Sequence, residues 1–261
     1  MTAPAQTLDE IRAEIDRIDQ AVHDLLMQRV EVVRKVGKIK GVAAPKWRPA
    51  REAALVRRLV ARHKGEMPIP VLVRIWREMI VGGSLALQEA VSLAVVERCW
   101  DAARDHFGSS VPFKRRSAVH VVRDVAAGRA TIGVLPLTGE AGWWKALAKN
   151  TDAPRIVAKL PFVGGKGDTV AIARVAFEPS GSDRSLLLVE SPPALGRTAL
   201  VAALRKAGFA ARLVAEEGSA RLVEIEGFVD DQDERLASLR EASRIGRIRL
   251  IGGYAVPLSK S

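Results

Sequence analysis

Apolar residues recur in alternating steps of three and four at Leu8, Ile11, Ile15, Ile18, Val22 and Leu25, and again at Val32, Val36 and Ile39. That spacing puts them on one face of an α-helix, and it predicts a single helix over residues 8–40. Thr7 is placed to cap it, Glu10 completes a capping box, and Gly41 and Pro45 end it. The register's next member after Leu25 is position 29, and position 29 is an arginine. Burying an unpaired guanidinium is costly. Periodicity alone therefore leaves two readings of Arg29 open: a side chain that snorkels out or meets a structural carboxylate, or one kept for a ligand.

A short linker, VAAPKWRP, leads to a second predicted helix from about Ala50 to His63, with Pro49 at the start, where proline is tolerated. KGEMPIP interrupts the chain, and a third helix is expected from about Pro70 to near Asp105. Three helices of such unequal length cannot cover one another in a compact monomer, so the long apolar seam calls for a partner helix and a homodimer.

After about residue 108 the pattern changes to alternating helix and strand. SAVHVVRDVAAG reads as helix, ATIGVLPL and RIVAKLPF as buried strands, and DTVAIARVAF as an alternating strand. EPSGSD reads as a linker. SLLLVES, RTALVAALRKAGF, AARLVAEE, ARLVEIEGFV, DERLASLREASRI and RIRLIGGYAV then follow in the order β-α-β-β-α-β.

Charge narrows the range of partners. The formal net charge is +11, with 18 Lys/Arg against 14 Asp/Glu in residues 1–110 and 23 against 16 in the remainder, so the excess is not confined to a tail. Such a chain can bind nucleic acid, an anionic surface or small acidic ligands. With a single Tyr and no interleaving of aromatic and basic residues, stacking-based nucleic-acid binding has little support. One cysteine, Cys99, allows no internal disulfide and fits a reducing compartment. No apolar run approaches a membrane span and no leader is evident, so a cytoplasmic protein is expected, with no membrane partner. The histidines at 23, 63, 106 and 120 lack metal-ligand spacing, and no metal site is expected. GGKGDT at 164–169 lacks the spacing of a phosphate loop and reads as a turn. Trp143 and Trp144 cap either a core or an interface.

The polar residues of the helical part form an ordered set. Lys40 lies eleven residues after Arg29, about three turns on and about 16 Å along the axis, on roughly the same face. Arg12 is about 25 Å from Arg29 and cannot reach the same small ligand within one chain. Arg48 precedes Pro49, Arg51 and Glu52 fall in the first turn of the second helix, and Ser84 and Gln88 stand four apart in GGSLALQEA. Taken alone, Arg51 and Glu52 read as an ordinary solvated helix start, where Glu52 suits the dipole, and Ser84 and Gln88 as surface residues.

Together, LDEIRAEIDRID, LLMQRVEVVRKVGKIK, RPAREAALVRRL and RIWREMIVGGSLALQ resemble the all-helical class of chorismate mutase, over residues 7 to about 92. The resemblance implies an all-α three-helix domain in an intertwined helical dimer. It also implies an isomerase that rearranges the dianion chorismate to prephenate with no cofactor. By the same resemblance, Arg29, Arg51 and Arg12 of the partner chain match the carboxylate clamps. Lys40 and Gln88 match the pair at the ether oxygen, Glu52 the acceptor of the ring hydroxyl, and Ser84 a carboxylate contact. Arg48 stands where the family commonly has an acidic residue, which leaves open whether it joins the anion clamp.

Beyond that part the chain is similar to a prephenate dehydratase arrangement in reduced form. GRATIGVLPLTGE resembles a segment of the dehydratase catalytic domain. ESPPALGRTALVAALRKAGF with VEIEGFVDDQDERLASL and IRLIGGYAV resembles its C-terminal ACT regulatory domain. TVAIARVAF lacks the family's Thr-Arg-Phe motif, TGE stands where an acid-amide pair is expected, and LVAEEG replaces Glu-Ser-Arg-Pro. These departures predict no dehydratase activity and leave an aromatic amino acid effector open. The expected division is a helical mutase domain over 1–107, a truncated dehydratase-like α/β segment over 108–180 and an ACT-like α/β domain over 181–261. The rival reading is a catalytically silent module on the same fold, sensing an aromatic amino acid or binding a partner enzyme.

Overall fold

The computed structural model describes residues 6–40, 46–140, 142–149, 152–164, 167–192, 194–241 and 245–259, without the side chains of Lys40 and Glu241. The expected helix end at Gly41 and Pro45, part of the turn at Gly165 and Lys166, and the end of the last helix at 242–244 lie outside them. The chain divides into two compact units, Met1–Lys46 and Trp47–Ser261.

The first unit is the expected helix, α1, Leu8–Lys40. Its 33 residues span about 50 Å. The capping box is formed: the Thr7 backbone N–H donates to Glu10 Oε2 at 2.8 Å, and the Glu10 N–H to Thr7 Oγ1 at 3.3 Å. The apolar stripe is left bare. Leu8, Ile11, Ile15, Ile18, Val22, Leu25, Val32, Val36 and Ile39 are all exposed, Ile39 to 86%. Contiguous apolar surface of that length is seldom left exposed on a soluble monomer.

In the second unit, α2 (Pro49–Arg62) begins with proline in its first turn, as expected, and ends at the extended residue His63. The third helix, α3 (Ile69–Ile80), is far shorter than expected. It passes into a π-turn at Val81–Leu85, and Leu93–Val95, expected to be helical, form strand β1. Two causes act together. Gly82 and Gly83 weaken the helix, and Ser84 Oγ donates to the Met79 carbonyl five residues back at 2.9 Å, which suits the wider turn. The run LAVV then has all of Leu93, Ala94 and Val95 buried, which a parallel strand covered on both faces achieves.

After a 3₁₀ turn at Glu97–Cys99 and helix α4 (Trp100–Phe107), the chain continues through β2 (Phe113–Arg115), α5 (Ala118–Ala126) and β3 (Ile132–Pro136). A 3₁₀ turn at Trp143–Ala148 precedes β4 (Arg155–Leu160) and β5 (Thr169–Ala173). The expected β-α-β-β-α-β segment follows as β6 (Asp183–Glu190), α6 (Arg197–Lys206), β7 (Ala211–Glu217), β8 (Ala220–Glu226), α7 (Glu234–Glu241) and β9 (Arg247–Ala255). Among the described residues all nine strands join one sheet, in the order β2-β1-β3-β5-β4-β9-β6-β8-β7. The two halves of the sheet meet where β4 pairs with β9 at Ile156 and Gly252. Gly252 has φ +120°, and a Cβ there would lie 2.1 Å from the Ile156 carbonyl oxygen, so only glycine permits this seam.

Trp143 and Trp144 are core residues, and the Trp143 indole N–H donates to the Pro136 carbonyl at 2.8 Å. The hairpin α2–α3 packs on the sheet: Ala53, Val56 and Val73 share a core with Phe162, while Trp47, Val81 and Leu85 join Phe107 and the strands β1, β3 and β5. Among the described residues no helix is long and apolar enough to cross a membrane.

Candidate active site

Three of the expected site residues lie on α1. Arg12 is exposed, with Asp9 Oδ1 at 3.4 Å, the pairing of a solvated helix surface. Arg29 is half-buried on the apolar register, and burial pushes its pKa down. Lys40 is the last residue of the helix. Arg12 and Arg29 are about 25 Å apart along α1, so a single helix cannot bring both to one small molecule.

The other five lie in the second unit. Arg48 holds Glu178 in a two-pronged pair, Nε to Oε2 at 3.1 Å and Nη2 to Oε1 at 3.2 Å, which ties the entrance of α2 to the chain beyond β5. Its guanidinium therefore already has a carboxylate. Arg51 is exposed in the first turn of α2. Arg57, two turns further on, donates to the carbonyls of Ser180, Ser182 and Val256 at 2.8–2.9 Å, so α2 is fixed against the sheet by side chain-to-backbone bonds as well as by packing. Ser84 and Gln88 are brought together at the end of α3, where Gln88 Nε2 donates to the Ser84 carbonyl at 3.1 Å.

Glu52 is the most perturbed of the set. Its side chain is 12% exposed and meets Arg77 Nη1 at 3.1 Å, and Arg77 is itself 4% exposed. Desolvation pushes the carboxyl up to about 7, against the opposing pull of Arg77. The Trp47 indole N–H also favours the ionised form, although its geometry falls short of an ordinary hydrogen bond. Burial lowers the Arg77 pKa in turn. His106 of α4 is buried, and burial together with the Arg77 charge holds its pKa well below the usual histidine range, so it stays neutral. The Arg77 guanidinium lies over the Phe162 ring at 5.5 Å. Glu52, Arg77, His106, Lys159 and Phe162 line one small void.

Arg77 and His106 were not among the expected residues. The signal for Arg77 was present: Val73, Arg77 and Ile80 are the buried face of α3, so an arginine stands on an apolar register there as at position 29.

Residues 11–89 match the family model described as chorismate mutase type II. Over 144 residues the chain is 32% identical to a bifunctional chorismate mutase/prephenate dehydratase of Stutzerimonas stutzeri, covering 51% of this chain and 39% of that relative. It is also 32% identical over 142 residues to a protein of the same description from Aquifex aeolicus, covering 51% of this chain and 39% of the relative. The chain therefore spans about two fifths of the length of these curated relatives. A solved prephenate dehydratase of Staphylococcus aureus aligns with 63% of this chain and 100% of its own, at a TM-score of 0.46 and 11% identity.

Proposed function

From the match of residues 11–89 to the chorismate mutase type II family model, we propose that the protein converts chorismate to prephenate by intramolecular rearrangement. The observation that carries this reading is that the matched span contains all eight polar positions in order: Arg12, Arg29, Lys40, Arg48, Arg51, Glu52, Ser84 and Gln88. The reaction breaks the ether C–O bond and forms a C–C bond within one molecule. The protein's task is to hold the reactive conformer and to stabilise charge on the departing oxygen. In this reading Arg29 and Arg51 clamp the two carboxylates, Lys40 and Gln88 donate to the ether oxygen, Glu52 accepts from the ring hydroxyl, and Ser84 supports a carboxylate.

The active form is a homodimer in which α1 lays its seam on a second copy and Arg12 enters the partner's site. Two features support this: the uncovered stripe from Leu8 to Ile39, and the distance of about 25 Å that separates Arg12 from Arg29 within one helix. Arg48 serves as a structural tie through Glu178. Residues 1–107 constitute the mutase part, 108–180 a truncated dehydratase-like segment and 181–261 an ACT-like domain. The segment TVAIARVAF, without Thr-Arg-Phe, supports a C-terminal region that does not dehydrate prephenate.

Purified full-length protein mixed with chorismate tests the reading: chorismate absorbance is lost, and the loss is abolished by Lys40→Ala or Gln88→Ala. No turnover under any buffer condition would overturn it in favour of the silent module. A separate assay on prephenate should give no phenylpyruvate, and robust phenylpyruvate formation would reverse the assignment of the second half.

A further inference from the structure

A second concave site lies in the second unit, remote in sequence from every residue of the mutase reading. It is a cleft of about 820 Å³ with Leu147, Lys149, Ala153 and Arg155 on one side and the start of β9 on the other, a volume in the range of small-molecule sites. Among the described residues five cationic side chains line it, Lys149, Arg155, Arg240, Arg247 and Arg249, against one carboxylate, Asp231. Asp231 is already engaged, with its Oδ2 2.9 Å from Arg155 Nη2 and its backbone carbonyl accepting from Arg240 Nη1 at 3.4 Å. Lys149, Arg247 and Arg249 make no ion pair or side-chain hydrogen bond among the described residues. Glu190 stands opposite Arg247 in the β6–β9 register but forms no ion pair with it.

The strand sets the geometry of the cations. β9 alternates exposed Arg247, buried Ile248, exposed Arg249, buried Leu250, so the two guanidiniums leave the same face. Two residues of strand separate their Cα atoms by about 7 Å, close enough for both long side chains to reach the two carboxylates of one small molecule. The opposite wall brings Leu147 and Ala153 together with Lys149 and Arg155. Like charges gathered in a concavity repel one another and raise the local concentration of counter-anions, and guanidinium is the group best shaped for carboxylates. Among the described residues no aromatic ring lines the cleft, which disfavours stacked single-stranded nucleic acid.

We propose that this cleft binds a small organic anion that carries two or more carboxylates on an apolar body, with Arg247 and Arg249 as its principal clamps. The site is independent of the mutase reading and survives its failure.

Isothermal titration of the full chain with benzene-1,3-dicarboxylate, benzoate and sulfate at constant ionic strength tests it. The dicarboxylate is expected to bind saturably, with benzoate and sulfate at least tenfold weaker. Arg247→Gln/Arg249→Gln should weaken the dicarboxylate at least tenfold. Lys149→Gln, an exposed single change, should weaken it severalfold. Binding that persists in Arg29→Leu assigns the ligand to this cleft rather than to the mutase site. Affinity unchanged in the β9 double variant, affinity lost in Arg29→Leu, or sulfate binding as tightly as the dicarboxylate would each overturn the proposal. So would absence of dicarboxylate binding alongside salt-dependent retention on nucleic acid.

Discussion

Arg77→Met is the most informative single perturbation of the second unit. It keeps the length and apolar stem of the side chain but removes the charge that faces Glu52. The guanidinium is 4% exposed and the carboxylate 12%, so water cannot replace the lost partner. Breaking a buried pair from one side costs about 3–5 kcal/mol, because an uncompensated charge stays behind.

The cost also depends on pH in a definite direction. Glu52 already has its pKa raised from 4.5 to about 7 by desolvation, with Arg77 opposing the rise. Removing Arg77 raises it further. For an acid whose folded pKa exceeds its unfolded value, the folded state holds more protons between the two, so stability falls as pH rises through that window. In the wild type this term amounts to at most about 3 kcal/mol between pH 4.5 and 7. In the variant the window extends upward, so the variant's deficit is small at pH 5, where the orphaned carboxyl takes a proton, and large at pH 8. His106, held neutral in the fold by burial and by the Arg77 charge, takes up a proton only in the unfolded chain as pH falls through the usual histidine range. It therefore lowers stability toward acid, and removing Arg77 relaxes that penalty and makes the variant's deficit smaller still at pH 5.

Urea unfolding of the full chain, followed by the fluorescence of buried Trp47 and its neighbours, measures these differences. The double change Glu52→Gln/Arg77→Met should recover most of the loss, since an apolar replacement of both partners is often neutral. A deficit below about 1 kcal/mol at pH 8, or one larger at pH 5 than at pH 8, would refute the reasoning.

Three further outcomes follow from the same geometry. If Glu52 accepts the ring hydroxyl it must be ionised, so mutase kcat/KM should fall as pH drops below about 7 and the inflection should vanish in Glu52→Gln; a flat wild-type profile from pH 5 to 8 contradicts this role. Ile15→Asp/Val22→Asp places charges on the exposed stripe of α1 and should convert a dimer to a monomer in sedimentation, with loss of turnover; an unchanged dimer would rule the stripe out as the interface. Arg48→Ala should leave mutase kcat/KM within about twofold while lowering stability by at most about 1 kcal/mol, because the Glu178 pair is solvent-screened; a tenfold fall in kcat/KM would put Arg48 back in the anion clamp.

How much of this was legible in the sequence varies along the chain. α1 was readable from its first residue, because 3–4 apolar spacing along 33 residues, interrupted at Arg29, and a Thr-x-x-Glu cap admit one local structure. The β-α-β-β-α-β order of the last third was readable for the same reason: alternation and turn residues act over short distances. The end of α3 was not. LAVV is a short apolar run that fits a helix or a buried strand equally well, and its choice rests on pairing with β2 and β3, tens of residues away. The continuity of the sheet through Ile156 and Gly252 is likewise a long-range fact that no local pattern announces.

The candidate site divides in the same way. Its polar positions could be named through the resemblance to the chorismate mutase family, whereas the pairing of Glu52 with Arg77 comes from the packing of α2 on α3. The register rule that drew attention to Arg29 would have drawn attention to Arg77 as well. Arg29 differs in standing on a stripe that the single chain leaves uncovered, while Arg77 stands on a face that its own unit buries.

Chorismate turnover by Arg29→Leu bears most directly on the central claim. Leucine at position 29 completes the apolar register of α1, so it should preserve the helix and any dimer built on the stripe. If the arginine is there to hold a carboxylate, the wild-type chain consumes chorismate and Arg29→Leu, at equal helicity and equal sedimentation, does not. A variant as active as the wild type would show that the guanidinium is only tolerated on the seam, and the anion site built around it would fall.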